Sequence, residues 1–373
     1  MEGEEELILW IILNALPEVG PVTFRRLKER FNGKIRRIFS ASYEELVSIG
    51  GVSRAAAEHI AHWEQYFDWK QEQRRLTTMG AKFITQKDKN YPPLLREIYD
   101  APVGLYVKGN LDLSRNNCIA MVGTRKATVY GLQIARDFAR ELASLGFIIV
   151  SGMALGIDKA AHEGALSGEG KTVAVLGSGL DVIYPHENRT LYGKIAENGS
   201  VLSEFPLGKE ADRVTFPIRN RIIAGICSHL IVIESDCSGG SMISANIANE
   251  YGRHIMAVPG RTDQRMSQGC HDLIRNGATL VSCMDHILQE LAYSRQQLLN
   301  FTERNVTDPL VSLQDPVERK IASFLREKGA IDLDGLSAEL EIPIQHLIPR
   351  LQLLELRNIV QENREGRYEC CCG

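Results

Sequence analysis

From Cys118 onward the chain alternates short apolar runs with longer stretches in which apolar residues recur every three or four positions. The runs, at about 118–122, 147–151, 172–176, 200–204, 229–234 and 254–258, are rich in β-branched residues and read as strands. The stretches between them read as amphipathic helices. Ile134, Phe138, Leu142 and Leu145, for example, repeat at helical spacing and are expected to pack on the sheet. Strands joined by a dozen or more helical residues pair in parallel. The pattern therefore predicts an α/β fold: a Rossmann-like, doubly wound, mostly parallel sheet with helices on both faces.

The flanks follow other patterns. Residues 1–62 hold two similar half-units, ILNALPEVGPVTFRRLKERF and ELVSIGGVSRAAAEHI, each a helix, a glycine turn and a second helix. This is the layout of a helix-hairpin-helix (SAM-like) domain, whose turn lets backbone N–H groups meet a phosphate. Residues 63–117 read as a linker helix and an extended segment, Ala81 to Val107, leading into the core domain at 118–292. A polar, proline-bounded stretch at 293–315 reads as a linker. Residues 316–373 then give three helices and a hairpin-like IVQENREGRYE, the pattern of a winged-helix domain. Its third helix carries Pro349 and few basic residues, which argues against reading of base edges.

Composition narrows the class. The 373 residues are 44% hydrophobic and 24% charged, so a multidomain chain with a sizeable core is expected. A net charge of -4 and a pI near 6.2 exclude a uniformly basic coat. A focused basic patch is still allowed, since fields act within a Debye length of ~8 Å at physiological salt. The acidic start MEGEEELILWIIL resembles neither a signal peptide nor a membrane span, so a cytoplasmic location is expected. The eight cysteines form no C-x-x-C pair and read mostly as buried thiols; the triplet Cys370, Cys371 and Cys372 reads as an incidental tail.

Candidate chemistry gathers at strand ends. Gly123, Thr124, Arg125 and Lys126 follow one strand, and Ser151 and Gly152 end another. In an open parallel sheet such carboxyl ends face one crevice. Arg219, Asn220 and Arg221 are expected at a helix N-terminus, where N–H groups and the helix dipole favour anions. The three cannot all point one way, so one arginine is expected to reach phosphate and the other to brace the crevice. Gly239, Gly240 and Ser241 open another helix and form a second anion cradle. Arg213 and Lys126 are supporting candidates. Phe216 or Tyr184 is placed to stack a base, although core packing is the simpler reading of Phe216.

Enzyme motifs fare worse. ALSGEGKT, Ala165 to Thr172, fits a relaxed phosphate-loop pattern, but it follows a helix and opens a strand, the reverse of a working loop. GSGLDV lacks the third glycine of a dinucleotide fingerprint, since Val182 stands there. Asp158 and His162, four apart on one helix, read as structural rather than as a metal pair. No cofactor, metal or catalytic residue is expected.

The motifs VGTRKATVYG, SGMALGIDKAAHEGAL, VAVLGSGLDVIYPHEN, LSEFPLG, FPIRNRIIAG, SGGSMISANIANEYGR and AVPG run in that order from Val122 to Gly260. Together with YPPLLREIYDAPVGLYVKGNL ahead of them, they resemble the DNA-processing protein A (DprA/Smf) family over residues 80 to 292. The resemblance implies a cytoplasmic homodimer that binds and protects single-stranded DNA and helps load RecA recombinase in natural transformation. It also implies that Arg125, the arginine of G-[ST]-R, contacts DNA phosphate, and that the C-terminal segment is the winged helix many members carry. The alternative from another class is a nucleotide phosphoribohydrolase-like Rossmann enzyme, whose P-G-G-x-G-T-x-x-E motif shares a glycine pair with SGGSMISANIANE. Ile243 and Ser244 replace its Gly-Thr, and the glutamate is displaced to Glu250.

Overall fold

The computed structural model describes residues 2–109, 112–114, 117–291, 313, 315–356, 359–363 and 366–370. It divides into two compact units, Met1–Glu290 and Leu291–Gly373.

The first unit is built on a nine-stranded sheet: β1 (Lys82–Thr85), β2 (Gly104–Gly109), β3 (Cys118–Val122), β4 (Ile148–Ser151), β5 (Thr172–Leu176), β6 (Ser200–Ser203), β7 (His229–Val232), β8 (His254–Ala257) and β9 (Thr279–Leu280). The order is β1-β2-β6-β5-β4-β3-β7-β8-β9. From β6 through β9 every pairing is parallel. β2 runs antiparallel to both β1 and β6. The strands expected from the apolar runs lie where the pattern put them. The segment expected to be merely extended, Ala81 to Val107, contributes the paired strands β1 and β2. β3, β4 and β5 are buried along their whole length, as strands covered on both faces must be.

Helices α1 (Glu2–Ala15), α2 (Pro21–Arg30), α3 (Ile35–Phe39), α4 (Tyr43–Val47), α5 (Arg54–Ala61), α6 (Trp69–Met79) and α7 (Pro93–Glu97) precede the parallel strands. α8 (Val129–Ser144), α9 (Ile157–Ser167), α10 (Arg189–Asn198), α11 (Thr215–Ile226), α12 (Gly240–Glu250), α13 (Arg265–Arg275) and α14 (Met284–Leu291) connect or follow them. In α8 the buried stripe is Ala135, Phe138, Ala139 and Leu142; Leu145, expected to pack, is the exposed C-cap. Small residues let α8 and α9 approach closely: a Cβ on Gly164 would lie 2.3 Å from the Arg136 carbonyl oxygen.

One apolar cluster runs from Trp10, Phe24, Leu27 and Ile38 to Phe83, Tyr106, Leu176 and Leu207. The helices of residues 1–62 thus share their core with β1, β2 and one face of the sheet. Asn14 adds a polar tie by donating to the Glu204 carbonyl at 2.7 Å.

The second unit has helices Pro316–Lys328, Leu333–Leu340 and Ile344–Leu356 and an antiparallel hairpin, Val360–Glu362 with Tyr368–Cys370. Leu325, Leu336, Leu347, Leu351 and Leu354 form its core. Most of the expected linker, residues 293–312, and the tail cysteines Cys371 and Cys372 lie outside the described residues. Of the other cysteines, Cys118, Cys227 and Cys270 are buried, whereas Cys237 and Cys283 are exposed, contrary to the expectation of mostly buried thiols. No helix among the described residues is long and apolar enough to cross a membrane.

Candidate functional site

The chain leaves β3 for β4, β5 and β6 on one side and returns to β7 on the other. β3 is therefore the switch point of the sheet, and a crevice opens beyond the carboxyl ends of β3, β4 and β7. An open groove of about 430 Å³ occupies it. Nine of the thirteen expected site residues line it: Gly123, Thr124, Arg125, Arg213, Arg219, Asn220, Gly239, Gly240 and Ser241.

Arg125 is presented by a turn that only glycines permit. A Cβ on Gly123 would meet the Ile157 side chain at 2.6 Å. At Gly156, with φ +79, a Cβ would lie 2.3 Å from the Thr124 carbonyl oxygen. The Thr124 N–H donates to the Glu234 carbonyl at 2.7 Å, and its own carbonyl accepts from Ile157 at 3.2 Å, so the turn is pinned to β7 and α9. Exposed Arg125 then lies over the Phe216 ring, 4.9 Å from its centroid, and has no carboxylate within 4.0 Å among the described residues. Half-buried Phe216 is 5.7 Å from exposed Tyr184, and both rings face a small side pocket shared with Arg125, Gly152 and Arg219. Phe216 is thus part of the site rather than of the core.

Across the groove lies the N-terminus of α12. Gly239 is its N-cap, without a side-chain cap, and the N–H groups of Gly240 and Ser241 find no acceptor among the described residues. These unpaired donors and the helix dipole favour an anion. The Ser241 hydroxyl is turned inward, donating to Ser235 at 2.7 Å, so Ser241 offers its backbone and not its side chain.

Three expectations are corrected. Arg219 and Arg221 do not stand at a helix N-terminus, because α11 begins at Thr215 and places them at its fifth and seventh positions. Two residues apart on a helix, they point to opposite sides. Arg219 is buried behind the groove, donating to the carbonyls of Gly152 and Val175, the latter at 2.6 Å, and so ties together the ends of β4 and β5. Burial lowers its pKa to about 10, with Asp158 opposing and Arg125 adding to the fall, so it is still charged at neutral pH. Arg221 is also buried, bound by both oxygens of the Glu204 carboxylate and by the Asp100 carbonyl. Burial opposes its charge, but Glu204 and Asp100 outweigh that and raise its pKa. It braces the fold and does not line the groove. Ser151, buried, donates its hydroxyl to the Met121 carbonyl at 2.6 Å, and so fastens β4 to β3 instead of facing the groove. Lys126 is exposed next to the turn but does not line the groove.

Asp158 accepts from the N–H groups of Gly152 at 3.1 Å and Ala154 at 3.4 Å, shaping the loop after β4. Burial raises its pKa, against the pull of Arg219. His162 meets the Thr172 hydroxyl at 2.6 Å, and that hydroxyl donates to the Ile149 carbonyl. The imidazole must then donate from Nδ1, leaving Nε2 bare and without a partner. Both residues are structural, and no group of three or more His, Cys, Asp or Glu among the described residues could hold a metal. Ile243, an exposed apolar residue one turn into α12, also lines the groove and was not among the expected site residues.

By fold this is a Rossmann-like α/β protein with a large, mostly parallel sheet and, at its switch point, a crevice lined by arginines and glycines. It belongs to the DNA recombination-mediator protein A family, whose sequence model matches residues 82–292. A protein Smf from Synechocystis is 31% identical over 98% of this chain and 99% of its own length. DNA processing protein DprA of Streptococcus pneumoniae is 45% identical over 55% of this chain and 73% of its own. Among solved structures, the Streptococcus pneumoniae protein superposes with a TM-score of 0.65 at 34% identity, covering 75% of this chain and 96% of that one. DNA processing protein A of Helicobacter pylori, solved for its single-stranded DNA binding mode, gives a TM-score of 0.53 at 31% identity, covering 57% of this chain and 96% of that one.

Proposed function

We propose that this protein binds single-stranded DNA by its phosphates in the switch-point groove, without a catalytic cycle. The observation that carries the reading is one groove with Arg125 and Arg213 on its walls, the free N–H groups of Gly240 and Ser241, and the buried charge of Arg219 behind them. Phe216 and Tyr184 supply stacking faces beside it, which suits unpaired bases. The single-strand binding of the Helicobacter pylori relative supports the same reading. Cleavage of a nucleotide is disfavoured, because Glu250 ends α12 and lies about 9 Å along its axis from Ser244, the last residue of that helix to line the groove.

The wider role is a cytoplasmic homodimer that protects incoming DNA and helps load RecA recombinase in natural transformation, two protomers doubling a site of few contacts. In this assignment residues 1–62 are a helix-hairpin-helix (SAM-like) domain, 63–117 lead into the core, 118–292 are the DNA-binding domain, 293–315 link, and 316–373 are a winged helix. Fluorescence anisotropy with labelled oligo-dT, oligo-dA and a matched duplex tests the reading. Similar affinities for the two single strands, both above the duplex, and a log-log salt slope of about -0.7 per phosphate neutralised are expected. A salt-independent or strongly base-selective isotherm would overturn it.

A further inference from the structure

A second groove, of about 480 Å³, lies where the end of α2 meets the segment after β1. Arg25, Lys28 and Arg96 line it, with Glu29 as its one carboxylate. Glu29 is 3.8 Å from Arg25, which leaves the other two cations without a carboxylate within 4.0 Å among the described residues. Lys28 is half-buried and its ammonium donates to the neutral amide oxygen of Gln86 at 2.8 Å. Arg96 donates to the carbonyls of Asp88 and Tyr91, at 2.9 and 3.3 Å. Burial, then the like charges of Lys87 and Arg96, lower the Lys28 pKa. Lys87 is paired with Glu6. Tyr99, 55% exposed, stands on the wall as an aromatic face.

We propose that this groove is a second phosphate subsite, and that its ligand is the continuation of a single DNA strand. Cations without a carboxylate partner, here half-buried Lys28 and exposed Arg96, attract phosphodiesters, and an exposed ring beside them suits an unpaired base. Asp100 stands between residues of the two grooves: its neighbours Tyr99 and Ala101 line the second, and its carbonyl accepts from buried Arg221, whose chain neighbour Asn220 lines the first. The choice of a DNA strand over a small anion rests on the proposed function of the first groove; the charge cluster does not.

The test titrates oligo-dT of about six and about twenty nucleotides, lengths that bracket one compact site and one extended path. Lys28→Gln and Tyr99→Ala are each expected to weaken the longer strand roughly three- to tenfold while leaving the shorter unchanged, with Lys28→Arg restoring the loss. The salt slope for the longer strand is expected to fall by about 0.7 in Lys28→Gln. Unchanged binding of the longer strand in both glutamine and alanine variants overturns the subsite, as does equal weakening of both lengths. Protection of Lys28 from acylation by inorganic phosphate, with the longer strand unaffected by either substitution, assigns a small-anion site and also overturns it. The two readings fail separately: if Arg125→Ala leaves the short strand's affinity intact while Lys28→Gln weakens the long one, the first groove is misassigned and the second stands.

Discussion

Arg125 and Arg221 are the same residue type in one unit of the fold, and their surroundings give them opposite tasks. Arg221 is enclosed by Glu204, Asp100 and, through Asp100, the Tyr251 hydroxyl at 2.6 Å. Arg125 stands exposed on an aromatic ring, with no carboxylate within 4.0 Å among the described residues. A satisfied charge stabilises the fold and is lost to ligands. One left unsatisfied at the surface, in a groove with unpaired N–H groups, is available to an anion.

The largest expected effect breaks the buried side of that contrast. Arg221→Ala leaves the buried Glu204 carboxylate without its partner and Asp100 with the Tyr251 hydroxyl alone, and should cost about 3–5 kcal/mol of stability. Urea unfolding followed by circular dichroism reads this directly, and oligo-dT affinity per folded molecule should be unchanged. Arg125→Ala should do the reverse. Single-strand binding is expected to weaken by about 1–3 kcal/mol, with a thermal midpoint close to wild type. Arg125→Lys should recover part of the loss, since it restores the charge but not the planar fork. If Arg125→Ala melts early and binds normally, the exposed arginine is structural and the contrast collapses.

A third expectation concerns acid. Burial pushes His162 down to about 3, below its value of about 6.5 in the unfolded chain. The unfolded state therefore takes up a proton that the folded state refuses. Its contribution to stability is complete above pH 6.5 and is lost as pH falls toward 3, by up to about 1.4 kcal/mol per pH unit. His162→Gln should flatten unfolding free energy measured between pH 6.5 and 4.5. Some slope should remain, because burial followed by the neighbouring His254 also lowers His229, to about 4. The smallest effect is at Lys126, exposed and outside the groove lining: Lys126→Ala should change affinity by no more than about 0.5 kcal/mol at physiological salt, read in the same anisotropy assay.

The parallel core was legible because its strands are short apolar runs, and β3, β4 and β5 run directly into a glycine, a signal that survives without knowledge of tertiary contacts. β1 and β2 were not, since prolines interrupt the segment between them and β2 reaches its other partner, β6, only about 90 residues further along the chain. That Gly123, Arg125 and the Gly239–Ser241 turn gather along one groove was readable because strand ends and helix starts fix where the chain turns. The arginines of FPIRNR were misplaced by half a turn or more, because α11 starts at Thr215, ahead of Pro217, and only the completed fold reveals Glu204 beneath one of them. Ser151 illustrates the same limit. A hydroxyl beside a glycine looks like a ligand donor until the neighbouring strand supplies a carbonyl for it.

The apolar cluster running from Trp10 to Leu207 bears on how this chain could be taken apart. Residues 1–62 resemble a separable module in their helical pattern, yet their inward side chains complete a surface that β1, β2 and the sheet would otherwise expose to water. A cut after α5 would create two new greasy faces, not two finished proteins. Inheritance is constrained in the same way: the helical segment and the sheet behind it must change together, side chain against side chain, and neither can be traded for a stranger's without repairing the seam.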